Sequence, residues 1–457
     1  MSSFAITAYV IGLTLLLFER GNPGLGIASR IPRIGARSGT ALLVAIFAAQ
    51  LAIVAYAAHH HVPYLGWEQL LPLPIAHDDG PVIVHADLAG ITMAVLGAGA
   101  SLVLAGLYAE LGRSGFTAAG TRWICAGAAA MALLAMAAPA LSSADMYSNI
   151  GYALLGGAAY APPDRAFDGS FALINRWWGT PMVPAPYGPL WLAVLHLTTS
   201  PAPTLLAKLE SLRFVGLASC AGLIATLAWL RMPGRVLVLA ALNPALWLHF
   251  VANAHNDMLA VLCVATGAAL LLRGRALLAV GCVVAAGLIK APYAVLGLLI
   301  FTAVRRPGSR YACMAAAVAL TALLSWWLGG APYLAAITRH VVSRTGPEVL
   351  LHGLTALVAA VILLAALLGY RRLRTGAFLM PALAAALFPW YLAWSIPYAL
   401  SRQRDLAYLL IAFPTAAALL DTVFFRNVVG LGALGLTLAC AILLMLRSGA
   451  RPILDAG

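Results

Sequence analysis

SADMYSNIGYALLGGAAYAPPDRAF, residues 143–167, followed by NRWWGTPMVPAPYGPLW, residues 175–191, is the longest weakly apolar stretch of an otherwise apolar chain, and the fold is read outward from it. Of the 457 residues, 63% are hydrophobic and only 9% charged, with a mean hydropathy of +0.93. No soluble core has that composition. Repeated apolar runs of about 18 residues or more are helices crossing a hydrocarbon layer roughly 30 Å thick, where every backbone polar group must be bonded internally. The expected fold is all-α: a polytopic transmembrane helical bundle of about 11–15 spans, several of them short or broken, in a single integral-membrane domain over residues 1–457. In that reading residues 143–191 form an outer-face loop carrying interfacial helices. Trp177, Trp178, Tyr187 and Trp191 are aromatics of the kind that settle at headgroup level.

A formal net charge of +13 does not point to nucleic acid. The chain has only two lysines, Lys208 and Lys290, and its arginines stand in short clusters between apolar runs, which is the charge bias of cytoplasmic loops. No continuous basic face with stacking aromatics accompanies them. All six cysteines (Cys125, Cys220, Cys263, Cys282, Cys313, Cys440) fall inside apolar runs, too far apart for a metal knuckle, and are expected as buried small apolar residues. The run 4–18 has neither a basic n-region nor a small-residue cleavage site and reads as a retained first span.

Alternating the runs with the arginine clusters orders the topology. Arg20, Arg30, Arg33 and Arg37 put the loop after the first run in the cytoplasm, and the run 40–58 then leads outward to a loop over 59–90 containing HHH, Trp67, His77, Asp78, Asp79, His85 and Asp87. That loop fits no metal template, and no metal site is assigned. The runs 91–111 and 123–141, joined by a loop with Arg113 and Arg122, bring Asp145 to the outer side. Lys208, Glu210 and Arg213, early in the helical run 204–230, are expected either to snorkel or to face the site. The runs 236–251 and 258–272 flank ANAHND, so His255, Asn256 and Asp257 share the side of Asp145.

The region 276–304 is too long for one span and divides at LIKAPY, leaving Lys290 beside the helix breaker Pro292 at membrane depth, where a lysine needs a partner. After the run 311–328, an outer loop over 331–352 carries Arg339, His340, Arg344, Glu348 and His352; basic residues on that side defy the usual bias and suit an anion such as phosphate. The segment FLMPALAAALFPWYLAWSIPYAL is a second broken helix, with Pro389, Trp390, Tyr391, Trp394 and Pro397 at its turn.

In order, SADMYSNIGYALLGGAAYAP, PYGPLW, NPALWLHFVANAHND, GLIKAPY and FPWYLAWSIP resemble the GT-C superfamily of integral-membrane glycosyltransferases. More narrowly, they are similar to polyprenol-phosphate-mannose-dependent mannosyltransferases, over most of the chain up to about Tyr398. The resemblance implies a bacterial inner membrane enzyme whose site faces the periplasm or cell exterior. It would move a mannose-like hexose or a pentose from a polyprenyl-phosphate donor to a lipid or glycan acceptor hydroxyl, with inversion and without a cofactor.

In that setting Asp145 would be the general base, and Lys290, Arg339, Arg344, His340 and His352 would hold the donor phosphate. Tyr147, Asn149, Tyr187, His255, Asn256, Asp257, Trp390, Tyr391 and Trp394 would contact substrate. Simpler roles compete: Asp145 as a helix cap, HND as a turn, the aromatics as an interfacial belt. Competing functions are a flippase for a lipid-linked sugar, against which stands the lack in this sequence of the internal repeat usual in transporters, and a surface-polysaccharide polymerase or ligase.

Overall fold

The computed structural model describes residues 33–61, 83–138, 145–304, 306–342, 389–400 and 403–424, and these are helices and turns with no strand among them. The expected first span 4–18 and the runs 354–370 and 430–446 lie outside the described residues. Three long helices come first: α1 (Ala36–His61), α2 (Ile83–Ser114) and α3 (Ala118–Met136). Thr117 starts α3 by accepting a hydrogen bond from the Gly120 N–H, which satisfies one of the donors a helix start leaves open. Two boundaries differ from expectation. Residues 83–90, assigned to the loop 59–90, are helical because nothing in IVHADLA breaks a helix after Pro81, and α3 stops at Met136, short of the expected residue 141, because Pro139 disfavours helix just before it.

Between α3 and the next long helix lie short elements: α4 (Asp145–Leu155), α5 (Ala172–Trp178) and α6 (Pro189–Thr199). These are not loosely interfacial. Met146 through Tyr152 of α4 are all buried, and Trp191 is 1% exposed with its indole Nε1 donating to Asn149 Oδ1 at 2.9 Å. Trp191 and Tyr187 therefore belong to the protein interior and not to a headgroup belt, because the short helices are roofed by one another.

α7 (Leu205–Trp229) and α8 (Gly234–Ala241) follow, and then the chain bends by 46° into an α turn, Pro244–Leu246, that passes into a π turn, Trp247–Ala252. The expected single run 236–251 breaks because Pro244 has no N–H to give, while Asn243 caps the new turn and donates to Leu410 O at 2.7 Å. α9 (Asp257–Leu272) and α10 (Ala276–Ile289) form an antiparallel pair. α11 (Pro292–Leu296), continued by a 3₁₀ stretch Gly297–Ala303, confirms the divided span with its break at LIKAPY.

α12 (Pro307–Val342) is broken at Gly330, where φ is +62°, and restarts beside Pro332. Residues 331–342, expected as loop, are helical for that reason: a left-handed glycine redirects the chain and proline is well placed at a helix start. A 3₁₀ stretch Pro389–Ser395, α13 (Ile396–Ala399) and α14 (Gln403–Phe424) complete the described fold, with α14 packed along α2. Among the described residues, five helices are long and apolar enough to cross a membrane, or six with the bent pair. Cys220 is buried as expected, but Cys125 is exposed on α3, a helix that also carries Leu133, 72% exposed, and so has an outward side that faces lipid in a membrane protein.

Two glycines bring the motif segments into register. Gly188 N–H, at the start of α6, donates to Ile289 O at 3.0 Å, and a Cβ there would collide with the backbone of Leu288. Gly216 on α7 lies equally tightly against the carbonyl oxygen of Phe250 in the π turn. Backbone cannot swing aside as a side chain can. Gly216→Ala is expected to destabilise the protein by about 1–3 kcal/mol, the range for overpacking, read as a lowered melting temperature of the purified protein; an unchanged melting temperature would show that α7 and the π turn separate freely.

Candidate active site

The helix ends sort the charges. Arg37, Arg113, Arg122, Arg235 and Arg273 stand where α1, α3 and α8 begin and where α2 and α9 finish. Three of them cover aromatic rings: Arg37 over Trp123 at 5.0 Å, Arg235 over Tyr108 at 4.6 Å and Arg273 over Trp229 at 3.9 Å. At the opposite end of the bundle, the beginnings of α4 and α9 and the break after α10 supply Asp145, Asp257 and Lys290.

Asp145 is the first residue of α4, where unpaired N–H groups and the helix dipole favour a carboxylate. Its side chain is 25% exposed, and His255 Nδ1 lies 3.3 Å from its Oδ2 with the imidazole 2% exposed. The segment bearing His255 is tightly turned: Ala254 has φ +48°, a left-handed conformation a residue with a Cβ seldom takes, and the His255 N–H donates to His249 O at 3.2 Å. Asn256 caps no N–H with its side chain, and its buried Nδ2 finds no acceptor among the described residues.

Asp257, 1% exposed, accepts from Lys290 Nζ through both oxygens, at 2.8 and 2.9 Å, and from the Trp394 indole N–H at 2.7 Å. The lysine was expected to need a partner, and this is it. Lys290 is also enclosed by rings, its Nζ 4.6 Å from the centre of Tyr391, 5.5 Å from Trp394 and 5.9 Å from Tyr187. Trp394 packs on Tyr391 with ring centres 4.2 Å apart and is 4% exposed, so the belt reading does not hold for it.

Tyr187 bridges the two groups, within electrostatic reach of Asp145 and Asp257. Burial, and then the Asp145 carboxylate, hold the Tyr187 and Tyr152 phenols above the usual phenol range, so both stay protonated and can donate but cannot act as bases. Tyr152 OH donates to Val183 O at 3.1 Å.

Not every expected residue joins this cluster. Asn149 is spent on Trp191, and Tyr147 is 2% exposed, so both support the site from behind. Arg339 is exposed on α12 beyond Gly330 and is not among the side chains that contact Asp145, Asp257 or Lys290. Arg344 and His352 lie outside the described residues, as do the side chains of His340 and Trp390 and nearly all of the His/Asp-rich loop.

Lys208 and Arg213 neither snorkel nor line the site. Lys208 Nζ donates to Thr199 O at 2.7 Å, capping α6. Arg213 donates to Met136 O at 2.9 Å, to Ala252 O at 3.1 Å and to Glu210 Oε1 at 2.6 Å, joining the end of α3 to the end of the π turn. Its signal in the sequence was an arginine and a glutamate one helical turn apart in an apolar helix, which must be neutralised inside the protein.

Residues 37–306, more than half of the chain, match the family described as alpha-(1→6)-mannopyranosyltransferase, N-terminal domain. The chain belongs to that mannosyltransferase family. It is accordingly a glycosyltransferase and a membrane protein. Comparison with curated proteins and with solved structures returned no match. The matched residues of the mannosyltransferase include Asp145, His255, Asp257 and Lys290, whereas Tyr391 and Trp394 lie beyond the match.

Proposed function

We propose that this mannosyltransferase takes mannose from a polyprenyl-phosphate carrier and passes it to a primary hydroxyl of a lipid or glycan acceptor at the outer face of the inner membrane. The observation that carries the reading is a solvent-reachable carboxylate, Asp145, held by a buried histidine at the bundle end that also bears Lys290 and its rings. The opposite end bears Arg37, Arg113, Arg122, Arg235 and Arg273, a bias that supports reading that face as cytoplasmic. An α-linked product formed with inversion requires a donor whose phosphate is β at the anomeric carbon.

Asp145 removes the proton of the acceptor hydroxyl as its oxygen attacks that carbon. The bond from C1 to the phosphate oxygen breaks, and its electron pair leaves with the phosphate. Lys290 faces the charge that develops there, while Tyr187, Tyr391 and Trp394 offer ring faces to the sugar or the first isoprene units. Neither step needs a metal.

Purified protein incubated with labelled polyprenyl-phosphate mannose tests this. Release of free polyprenyl phosphate is expected only when acceptor is present, and it should persist in EDTA. Donor crossing a vesicle membrane uncleaved would indicate a flippase instead, and loss on chelation with rescue by a divalent ion would move the site toward residues 59–90.

A further inference from the structure

We infer that His255 is a positioning residue for the transfer, holding the Asp145 carboxylate in the orientation in which it meets the acceptor. The inference rests on the proposal that Asp145 is the base. Exposure assigns the two roles: the carboxylate is 25% exposed and the imidazole 2%, so substrate can reach Asp145 while His255 stands behind it. His255 is therefore not the sugar contact that its place in ANAHND suggests. With its proton on Nδ1, the ring donates to Asp145 Oδ2 at 3.3 Å.

A carboxylate in the first turn of a helix otherwise turns about two side-chain bonds, and fixing it in advance removes that freedom from the activation barrier. The fold builds the support rigidly. The π turn ends in the left-handed residue Ala254, which aims His255, and the Arg213 guanidinium binds Ala252 O on this side and Met136 O on the side from which the chain proceeds to Asp145. One arginine thus registers both members of the pair. His249, 6.5 Å away, backs the imidazole from the same π turn, and Tyr152 and Tyr187 lie within electrostatic reach of Asp145.

The test compares His255→Phe, which keeps a ring and removes the donor, with His255→Asn, whose amide nitrogen stands near the place of Nδ1. Steady-state kinetics with donor and acceptor varied separately should show His255→Phe losing about 10- to 100-fold in kcat with both KM values within about threefold of wild type, and His255→Asn recovering to within about tenfold of wild-type kcat. Wild-type kcat in the Phe variant would overturn the inference, as would a loss confined to KM, which marks a substrate contact. Should the Phe variant fail to fold, folded His255→Asn with kcat below about a hundredth of wild type would overturn it equally. Turnover by Asp145→Asn is a separate result, since it would remove the base itself.

Discussion

Asp145→Asn is expected to lower transfer by about two to four orders of magnitude while leaving fold and donor affinity intact. The amide preserves the shape of the carboxylate, and its oxygen can still accept the His255 N–H. Asparagine is also well tolerated at a helix start, so α4 should begin where it does now. Loss of the charge forfeits only the helix-dipole contribution, about 0.3–1 kcal/mol at a site 25% exposed. What disappears is the capacity to take a proton, and the phenols of Tyr152 and Tyr187 cannot substitute because both are held protonated. Turnover and donor binding measured on the same preparation decide the matter. Turnover within a few-fold of wild type would exclude Asp145 from the chemistry, and a parallel loss of donor binding would make it a structural residue.

Lys290→Met carries the second large effect, and the structure changes how it must be tested. From sequence the lysine needed a partner and the donor phosphate was the candidate, so that its removal was expected to report on donor use. In the fold its ammonium is bonded to both oxygens of Asp257, a carboxylate 1% exposed. Removing one partner of such a pair leaves a buried charge unbalanced, at about 3–5 kcal/mol. The single variant is therefore expected to lose stability and transfer together, which says nothing specific about phosphate.

The informative protein is Lys290→Met with Asp257→Asn, in which the charge is gone and the amide oxygen can still accept from the Trp394 indole. Stability should return in the double variant. Donor KM should remain raised or kcat lowered by about tenfold to a hundredfold, the equivalent of a charge-assisted hydrogen bond of about 1.5–3 kcal/mol, with acceptor KM nearly unchanged. If the double variant used donor as wild type does, Lys290 would serve only to neutralise Asp257, and the phosphate would have to be sought among Arg339, Arg344 and the histidines.

Much of the architecture was legible from residue order. The divided span at LIKAPY followed from Pro292 and the flanking arginines, and the placement of Asp145, Asp257 and Lys290 at one end followed from counting runs between arginine clusters. Errors came where a helix boundary depended on a single residue, at Ile83, Met136 and Gly330, and where burial had to be guessed from polarity. Trp191, Asn149 and Trp394 look interfacial by type and are interior in fact, because each indole has a side-chain acceptor that makes burial favourable.

The sequence by itself determined that this is a helical membrane protein with broken spans and with Asp145 and Asp257 at the end opposite the arginine clusters around Arg37, Arg113, Arg122, Arg235 and Arg273. Those properties depend on the length of apolar runs and on where charges interrupt them, which the bilayer reads one segment at a time. Tertiary structure alone decided that Asp257 neutralises Lys290, that His255 supports Asp145 and that Arg213 registers the two segments between them. Such pairings depend on which helices lie side by side and how closely. That is set by contacts between segments remote in the chain, such as Gly216 against the Phe250 carbonyl and Gly188 against Leu288, and no local pattern of residues encodes them.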